Sequence, residues 1–340
     1  MNDKGENKKR PIDRLRDGAG AFKISTPDDD SPITGMMSLG ERLLVIKRKG
    51  IYEAKLADQI DPERTNINAP NTIQRVLSYG SDYPWVGAVV LTAHELLKHS
   101  VLDERIDCEK SLNLVVDIAQ DIAAAKEMAS QFSEVQDSAI NSFNTQIQKD
   151  RSVLLPSTGN GATRCKEFLQ KLDHSLRELF KIVKIFYENV GLGGWESLKS
   201  AIDKGPQGTD NFSRFLQNVL PFLQMIRNSR NCVEHPRPDQ KIVFSDFSVN
   251  SQNILLTPMI EIIHPKTPLS MVPVSDFMNQ TSDEIVRVVE LMLVFLCARH
   301  IRSFSGFPVQ IYEFPADQRR TPNVRYGYGV ANGDAIIPFG

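Results

Sequence analysis

The chain has 340 residues, of which 41% are hydrophobic and 24% charged, so its composition excludes a wholly disordered protein. Because the formal net charge is -2, a site for nucleic acid would have to come from a local cluster of cations. The four cysteines form no CxxC pair, which predicts free thiols in a reducing compartment. The first 30 residues show no secretory signal, and the most apolar stretch, 285–297, is too short and too charged to span a bilayer. We therefore expect a soluble, cytoplasmic protein without a membrane partner.

The N-terminal half divides into two predicted regions. Residues 1–38 combine a basic cluster with an acidic run and few large apolar side chains, which predicts a mobile charged arm; an arm that contacts nucleic acid is the alternative. Residues 39–155 are predicted to form a β-hairpin around Gly50, followed by a helix that begins near Trp85 and a long helical stretch between Cys108 and Gln148. The role of this region is unknown from the sequence. The basic cluster is Lys8, Lys9, Arg10, Arg14 and Arg16, and the acidic run is Asp28, Asp29 and Asp30.

The C-terminal half begins after a Gly- and Pro-containing linker at 155–161. Residues 161–304 are predicted to form a helical bundle with a β-rich insertion at 241–263, and a capping box at 281–284 is expected to begin the last helix, which runs to about residue 303. Residues 305–340 are predicted to be an irregular tail. The predicted fold class is therefore mainly α, with a β-hairpin and long helix preceding the C-terminal bundle.

One predicted helix carries a charged residue where its periodicity calls for an apolar one. Asp210 is a plausible N-cap, and the apolar positions that follow recur every three or four residues to Ile226, so the next are 230 and 233. Position 230 is an arginine, and burying an unpaired guanidinium costs several kcal/mol. Since phosphate suits the forked donors of arginine, Arg230 predicts an anion site.

A proline defines the end of the same helix. Pro236 disfavours helical geometry at the preceding residue, so we expect the helix to end near Glu234 and to leave His235 exposed at its tip. The last carbonyl groups of a helix carry partial negative charge, which favours a protonated imidazole there. The segment thus places a group that titrates near neutrality beside a permanent cation.

This segment has the groups needed to cleave RNA without a metal ion. His235 would move a proton as general acid or base, Arg230 would stabilise charge on the scissile phosphate, and Asn231 would orient the imidazole or the substrate. Arg227 and Arg237 would add phosphate contacts as substrate-binding residues. We assign the catalytic roles to Arg230, Asn231 and His235 as a hypothesis.

The same residues resemble the Arg-x(4–6)-His signature of the HEPN superfamily, in which a polar residue, often Asn, follows the arginine. HEPN domains are helical bundles, with the signature at the end of a late helix and another helix after it. The resemblance implies a metal-independent endoribonuclease of single-stranded RNA, of the kind found in toxin–antitoxin and anti-phage systems. It also implies a homodimer with a composite site, without a cofactor, and an antitoxin or regulatory protein as a further partner.

Two other interpretations stay open. The domain could be a non-catalytic HEPN-like module that binds a nucleotide, RNA or a protein. Alternatively, the helix could be purely structural, with Arg230 paired to Glu234 four residues later.

Cys232 and His235 could suggest a nucleophile and a base, but without an evident third group a small buried cysteine is the simpler interpretation. The histidines and cysteines show no metal-ligand spacing, so no metal is expected.

Overall fold

The computed structural model describes residues 9–18, 29–143, 152–188, 191–205, 208, 210–304, 306, 308–333 and 335–339. The chain divides into two compact units, Met1–Gly87 and Ala88–Gly340. The prediction of a mainly α fold is wrong, because 21% of the chain is strand against 49% helix. In the described residues these strands form four separate antiparallel sheets.

The first unit is built on a four-stranded antiparallel sheet in the order β1-β2-β3-β4. The predicted hairpin is confirmed as β2 and β3, and the sheet adds a strand on either side of it. Val45, Tyr52 and Ala54 form a buried cluster on this sheet. The elements are α1 (Pro11–Gly18), β1 (Ile33–Leu39), β2 (Arg42–Lys47), β3 (Ile51–Lys55), α2 (Ala57–Ile60), β4 (Thr72–Leu77) and α3 (Pro84–Val86).

Part of the predicted mobile arm is ordered within this unit. The Arg16 guanidinium on α1 donates hydrogen bonds to Asp58, at 2.7 Å, and to Asp61, at 3.1 Å. Arg16, one of the charges that suggested a solvated arm, is therefore paired with carboxylates more than 40 positions later in the chain, and β1 is a strand of the sheet. The rest of the arm, 1–8 and 19–28, lies outside the described residues.

The second unit combines long helices with three small sheets, β5-β8-β9, β6-β7 and β10-β11-β12, in the described residues. A π-helical segment, Gly87–Leu91, connects α3 to α4. The helices are α4 (Thr92–Leu96), α5 (Cys108–Ser142), α6 (Gly161–Phe186), α7 (Trp195–Lys204), α8 (Asn211–Glu234) and α9 (Val274–Arg299), with a short 3-10 turn at Ala316–Gln318. The strands are β5 (Lys241–Ser245), β6 (Ser248–Val249), β7 (Leu255–Leu256), β8 (Met259–Ile263), β9 (Leu269–Pro273), β10 (Val309–Glu313), β11 (Tyr326–Asn332) and β12 (Ala335–Pro338).

Helix α6 is central to the second unit, since it packs against α5, α8 and α9. Its predicted apolar stripe is buried, with Phe168, Leu172, Leu179 and Val183 each fully covered. The long helix predicted after Cys108 is confirmed as α5. Because α5 and α6 pack together, the elements on either side of the predicted 155–161 linker belong to one unit. The helices after 161 therefore do not form a separate bundle.

The last predicted helix begins earlier than its apparent capping box. The Thr281 hydroxyl donates to the carbonyl oxygen of Phe277 at 2.5 Å, and the Ser282 hydroxyl donates to that of Met278 at 2.7 Å. Both side chains are buried within α9. Because their hydroxyl groups bond to carbonyl oxygens of the preceding turn, neither residue caps the start of a helix. The helix begins at Val274 instead.

The predicted irregular tail at 305–340 contains the three-stranded sheet β10-β11-β12. Gly329 pairs with Gln310 on one side and Pro338 on the other, and a Cβ at this glycine would lie 2.7 Å from the Ile336 side chain. Glycine at this position avoids that clash and allows the neighbouring strands to approach closely. The prediction failed because a Gly- and Pro-rich segment with short apolar runs has little local strand signal.

Candidate functional site

Helix α8 carries the segment for which the sequence predicts chemistry. It begins as predicted, with the Asp210 carboxylate accepting a hydrogen bond from the Ser213 backbone N–H at 3.0 Å. It ends at Glu234, also as predicted, and His235 follows in a non-helical conformation. Local capping and the proline after His235 thus determine both ends of the helix.

The buried stripe of α8 continues along a different line from the predicted one. After Ile226 the next covered side chains are Ser229, which is 0% exposed, and Cys232, which is 2% exposed. The Ser229 hydroxyl donates to the carbonyl oxygen of Met225 at 2.7 Å, so a small polar residue fits inside the core. Arg230 lies at the border of the stripe with 25% of its side chain exposed, and the prediction of an inward-directed position holds only in part.

Three groups hold the Arg230 guanidinium. Its Nη2 forms an ion pair with Glu234 at 2.5 Å, its Nε lies 3.8 Å from Asp173 on α6, and its Nη1 donates to the Asn231 side-chain oxygen at 3.4 Å. The pairing with Glu234 is the one that the structural interpretation expects. The Asn231 side chain thus contacts the guanidinium, and its role in orienting the imidazole or the substrate stays a prediction.

Asp173 is a buried carboxylate that sequence reasoning missed. Its side chain is 8% exposed and pairs with Arg177 at 2.7 Å, one helical turn later on α6. Burial raises the pKa of Asp173 above its ordinary value of 3.8, while the charges of Arg177 and Arg230 oppose that rise. The carboxylate thus connects an arginine of α6 with an arginine of α8.

In the described residues, the side chains of His235, Arg237 and Cys232 form no ion pair or hydrogen bond with these groups. The His235 side chain is exposed, and its backbone N–H donates to the Asn231 carbonyl oxygen at 2.8 Å. Arg237 is exposed in the following turn and pairs through its backbone with Gln240. Cys232 is buried, and burial raises the pKa of its thiol, which does not favour a nucleophile.

Arg230 and Asn231 line a cleft of about 470 Å³ in the second unit, which we name the α6–α8 cleft. Its walls carry five cationic side chains, and Leu176, Leu223 and Trp195 add apolar surface. Asp173 is the acidic residue in the lining. The five cations are Arg177, Lys181 and Lys184 from α6, with Arg227 and Arg230 from α8.

The cleft has an excess of positive charge even after its ion pairs are counted. Arg177, Lys181 and Arg230 each pair with a carboxylate, at 2.7, 2.7 and 2.5 Å respectively. Arg227 and Lys184 form no ion pair in the part of the chain that the structure describes, and the Lys184 ammonium lies 5.4 Å from the centre of the Phe180 ring. Such a cleft attracts a polyanion.

The sequence did contain a signal for the cations of α6. Arg177, Lys181 and Lys184 follow at steps of four and three, which places them on one helical face. Taken alone, such a spacing is typical of any solvated helix face. Of the predicted substrate-binding residues, Arg227 lines the cleft and Arg237 does not.

Comparison of the chain with protein-family models, with curated proteins and with solved structures found no match. The HEPN resemblance of the Arg230–His235 segment therefore stays a prediction. Within the described ranges, no group of three or more His, Cys, Asp or Glu side chains is arranged to hold a metal ion. None of the described helices combines the length and the apolar character that crossing a membrane requires.

Proposed function

We propose that this protein binds single-stranded RNA in the α6–α8 cleft and cleaves it as a metal-independent endoribonuclease of the HEPN type. The observation that carries the proposal is the convergence of five cationic side chains from two helices on one cleft, with Arg230 and Asn231 in its wall. Cations that converge from separate elements can neutralise several phosphates of one strand. The aromatic and aliphatic lining adds surface against which a base can pack.

Arg230 would stabilise charge on the scissile phosphate. Glu234 and Asn231 contact different terminal nitrogens of the guanidinium, Asp173 lies at an ion-pair distance of 3.8 Å from Nε, and both terminal nitrogens have a second N–H to donate. These contacts hold the guanidinium in one orientation before the substrate arrives. Donors that are already oriented need no rearrangement when charge develops on the phosphate.

His235 would move the proton. Acting as base, its imidazole would take the proton of a ribose 2′-OH, the 2′ oxygen would attack phosphorus, and the bond from phosphorus to the 5′ oxygen would break. The products would be a 2′,3′-cyclic phosphate and a 5′-OH, with the proton passing to the leaving oxygen. Because His235 lies outside the cleft of its own chain, we propose a homodimer in which it acts on RNA held by the other copy.

A second candidate function is RNA binding without cleavage. It is favoured by the two carboxylates that engage Arg230 and by the position of His235 away from the cleft. Both candidates share the same RNA contacts and differ only in whether the histidine reaches the strand. An antitoxin or regulatory partner stays a prediction from the resemblance.

The test is to incubate the full chain with single-stranded RNA in excess EDTA and to identify the new ends by mass spectrometry. We expect 2′,3′-cyclic phosphate ends from the parent protein, and from His235→Ala we expect binding without cleavage. Arg227→Gln should weaken binding, whereas Arg214→Gln, an exposed arginine of α8 outside the cleft lining, should not. Binding without cleavage by the parent protein would establish the second candidate, and the absence of binding would refute both.

A further inference from the structure

A second cleft of about 560 Å³ lies beside the first, between the start of α5 and the end of α6. We name it the α5–α6 cleft. Its lining includes Arg105 and Lys110 from the α5 side and Lys181 and Lys184 from α6. None of the residues that the sequence predicts for a site lines this cleft.

The two clefts share a wall. Lys181 and Lys184 line both of them, as does the loop at 191–194, which contributes Gly191 to one and Gly193 to the other. Along α6 the combined lining of the two clefts runs from Asp173 to Ile185, which is about 18 Å at 1.5 Å per residue. The clefts are therefore adjacent along α6, and we treat them together as one groove that carries cations in both of its parts.

The charges of the α5–α6 cleft are not all neutralised within the protein. Arg105 is held by Asp103 at 2.8 Å, and the Asp107 side chain caps α5 by accepting from the Lys110 backbone N–H. The ammonium groups of Lys110 and Lys184 form no ion pair in the described part of the chain, and both side chains are exposed. Two available ammonium groups, one from each helix, thus face a common groove.

We propose that the α5–α6 cleft binds the phosphates of the RNA strand on one side of the segment held in the α6–α8 cleft. This inference rests on the proposed function and extends it from a local phosphate site to a site for several consecutive nucleotides. The cations are spread along the groove, as the phosphates of an extended strand are, whereas a single nucleotide would occupy one cleft only. The groove is long enough for about four nucleotides or more, at the lower end of single-strand site sizes.

The test compares a short and a long single-stranded RNA, of about 4 and about 12 nucleotides, by fluorescence anisotropy. His235→Ala is the background, so that the strands stay intact. The long RNA should bind at least several-fold more tightly than the short one. Lys110→Gln should lower affinity for the long RNA about threefold or more and reduce the slope of log K against log salt by about 0.7, the value for one phosphate contact in a single strand.

The matched control is Lys166→Gln, since Lys166 is an exposed lysine of α6 that lines neither cleft. It should change neither affinity nor slope. If Lys110→Gln has no effect, or the same effect on both lengths, the extended site is refuted. In that case short-RNA binding that still depends on Arg227 would leave the proposed function standing, whereas failure of every RNA to bind would overturn both.

Discussion

Replacing Arg230 by methionine tests whether this arginine serves RNA binding or the stability of the fold. Methionine keeps much of the aliphatic stem and removes the guanidinium, which contacts Asp173, Asn231 and Glu234. If Arg230 serves RNA, the loss should appear in binding and cleavage. If it serves the fold, the loss should appear in the free energy of unfolding.

The structure indicates a small cost to stability. The buried Asp173 keeps its closer partner, Arg177, at 2.7 Å, whereas its distance to Arg230 is 3.8 Å. Glu234 is 29% exposed and can be solvated once its partner is removed. Exposed or half-exposed ion pairs contribute about 1 kcal/mol or less, so Arg230→Met should lower the free energy of unfolding by about 1 kcal/mol or less. Urea titration measures this quantity.

The expected cost to RNA binding is larger. A hydrogen bond to a charged group contributes about 1.5–3 kcal/mol, which corresponds to a roughly 10- to 150-fold loss of affinity when the guanidinium is removed. Fluorescence anisotropy with single-stranded RNA measures the loss, and cleavage in EDTA should become undetectable. The variant should therefore be folded and inactive.

Glu234→Gln is the matched variant, because it removes the charge that competes for the same guanidinium. RNA affinity should stay the same or rise by up to about fivefold, the equivalent of a surface ion pair. A structural ion pair predicts the opposite pattern, in which both variants lose stability and neither changes RNA binding. A loss of more than about 3 kcal/mol in Arg230→Met, with unchanged binding in the folded fraction, would refute the reasoning.

Three further predictions concern stability, each measured by urea unfolding. Asp210→Ala removes both the N-cap of α8 and the partner of Arg299 at 2.8 Å, and should lower the free energy of unfolding by about 2 kcal/mol. Gly80→Ala would place a Cβ 2.1 Å from the backbone carbonyl oxygen of Lys47. This substitution should lower the free energy of unfolding by about 2 kcal/mol or more. Lys47→Met leaves the buried carboxylate of Asp29 without its ammonium partner and should lower it by about 3–5 kcal/mol.

The Lys47 prediction has a pH dependence that checks its cause. Burial raises the pKa of Asp29, but hydrogen bonds from Ser31 and Tyr52 and the charge of Lys47 outweigh it and lower the pKa from 3.8 to about 2. A lowered pKa in the folded state stabilises the fold above the unfolded value and loses that contribution as the pH falls through about 2. Lys47→Met should therefore move acid unfolding, followed by circular dichroism, to higher pH. An unchanged midpoint would contradict the pairing.

Local sequence signals were sufficient for the helix that carries the site. The N-cap at Asp210 and the stop before Pro236 act within one turn, so neither depends on the rest of the fold. The exposure of His235 follows from the same local geometry. The 3.6-residue period was a less reliable guide to which side chains of α8 are buried. Ser229 is buried, and Arg230 lies at the border of the buried stripe.

Other features depended on contacts between distant parts of the chain. The apparent capping box at Thr281 is buried inside α9, and only the packing of that helix shows its true start at Val274. The β10-β11-β12 sheet joins strands that follow one another in the chain, but each strand has a weak local signal, so the pairing and not the individual propensities reveals it. Arg16 likewise finds its carboxylates more than 40 residues away, which charge patterning alone cannot reveal.

The amino-acid sequence by itself determined where α8 begins and ends, and that an arginine, an amide and an exposed histidine follow one another near its end. Capping, helical period and the proline effect all act between neighbouring residues, so these features can be deduced without knowing the fold. Only the tertiary structure decided which other charges meet Arg230. Asp173, Arg177, Lys181 and Lys184 come from a helix some 50 residues earlier, and they reach the same cleft because the apolar faces of α6 and α8 pack together.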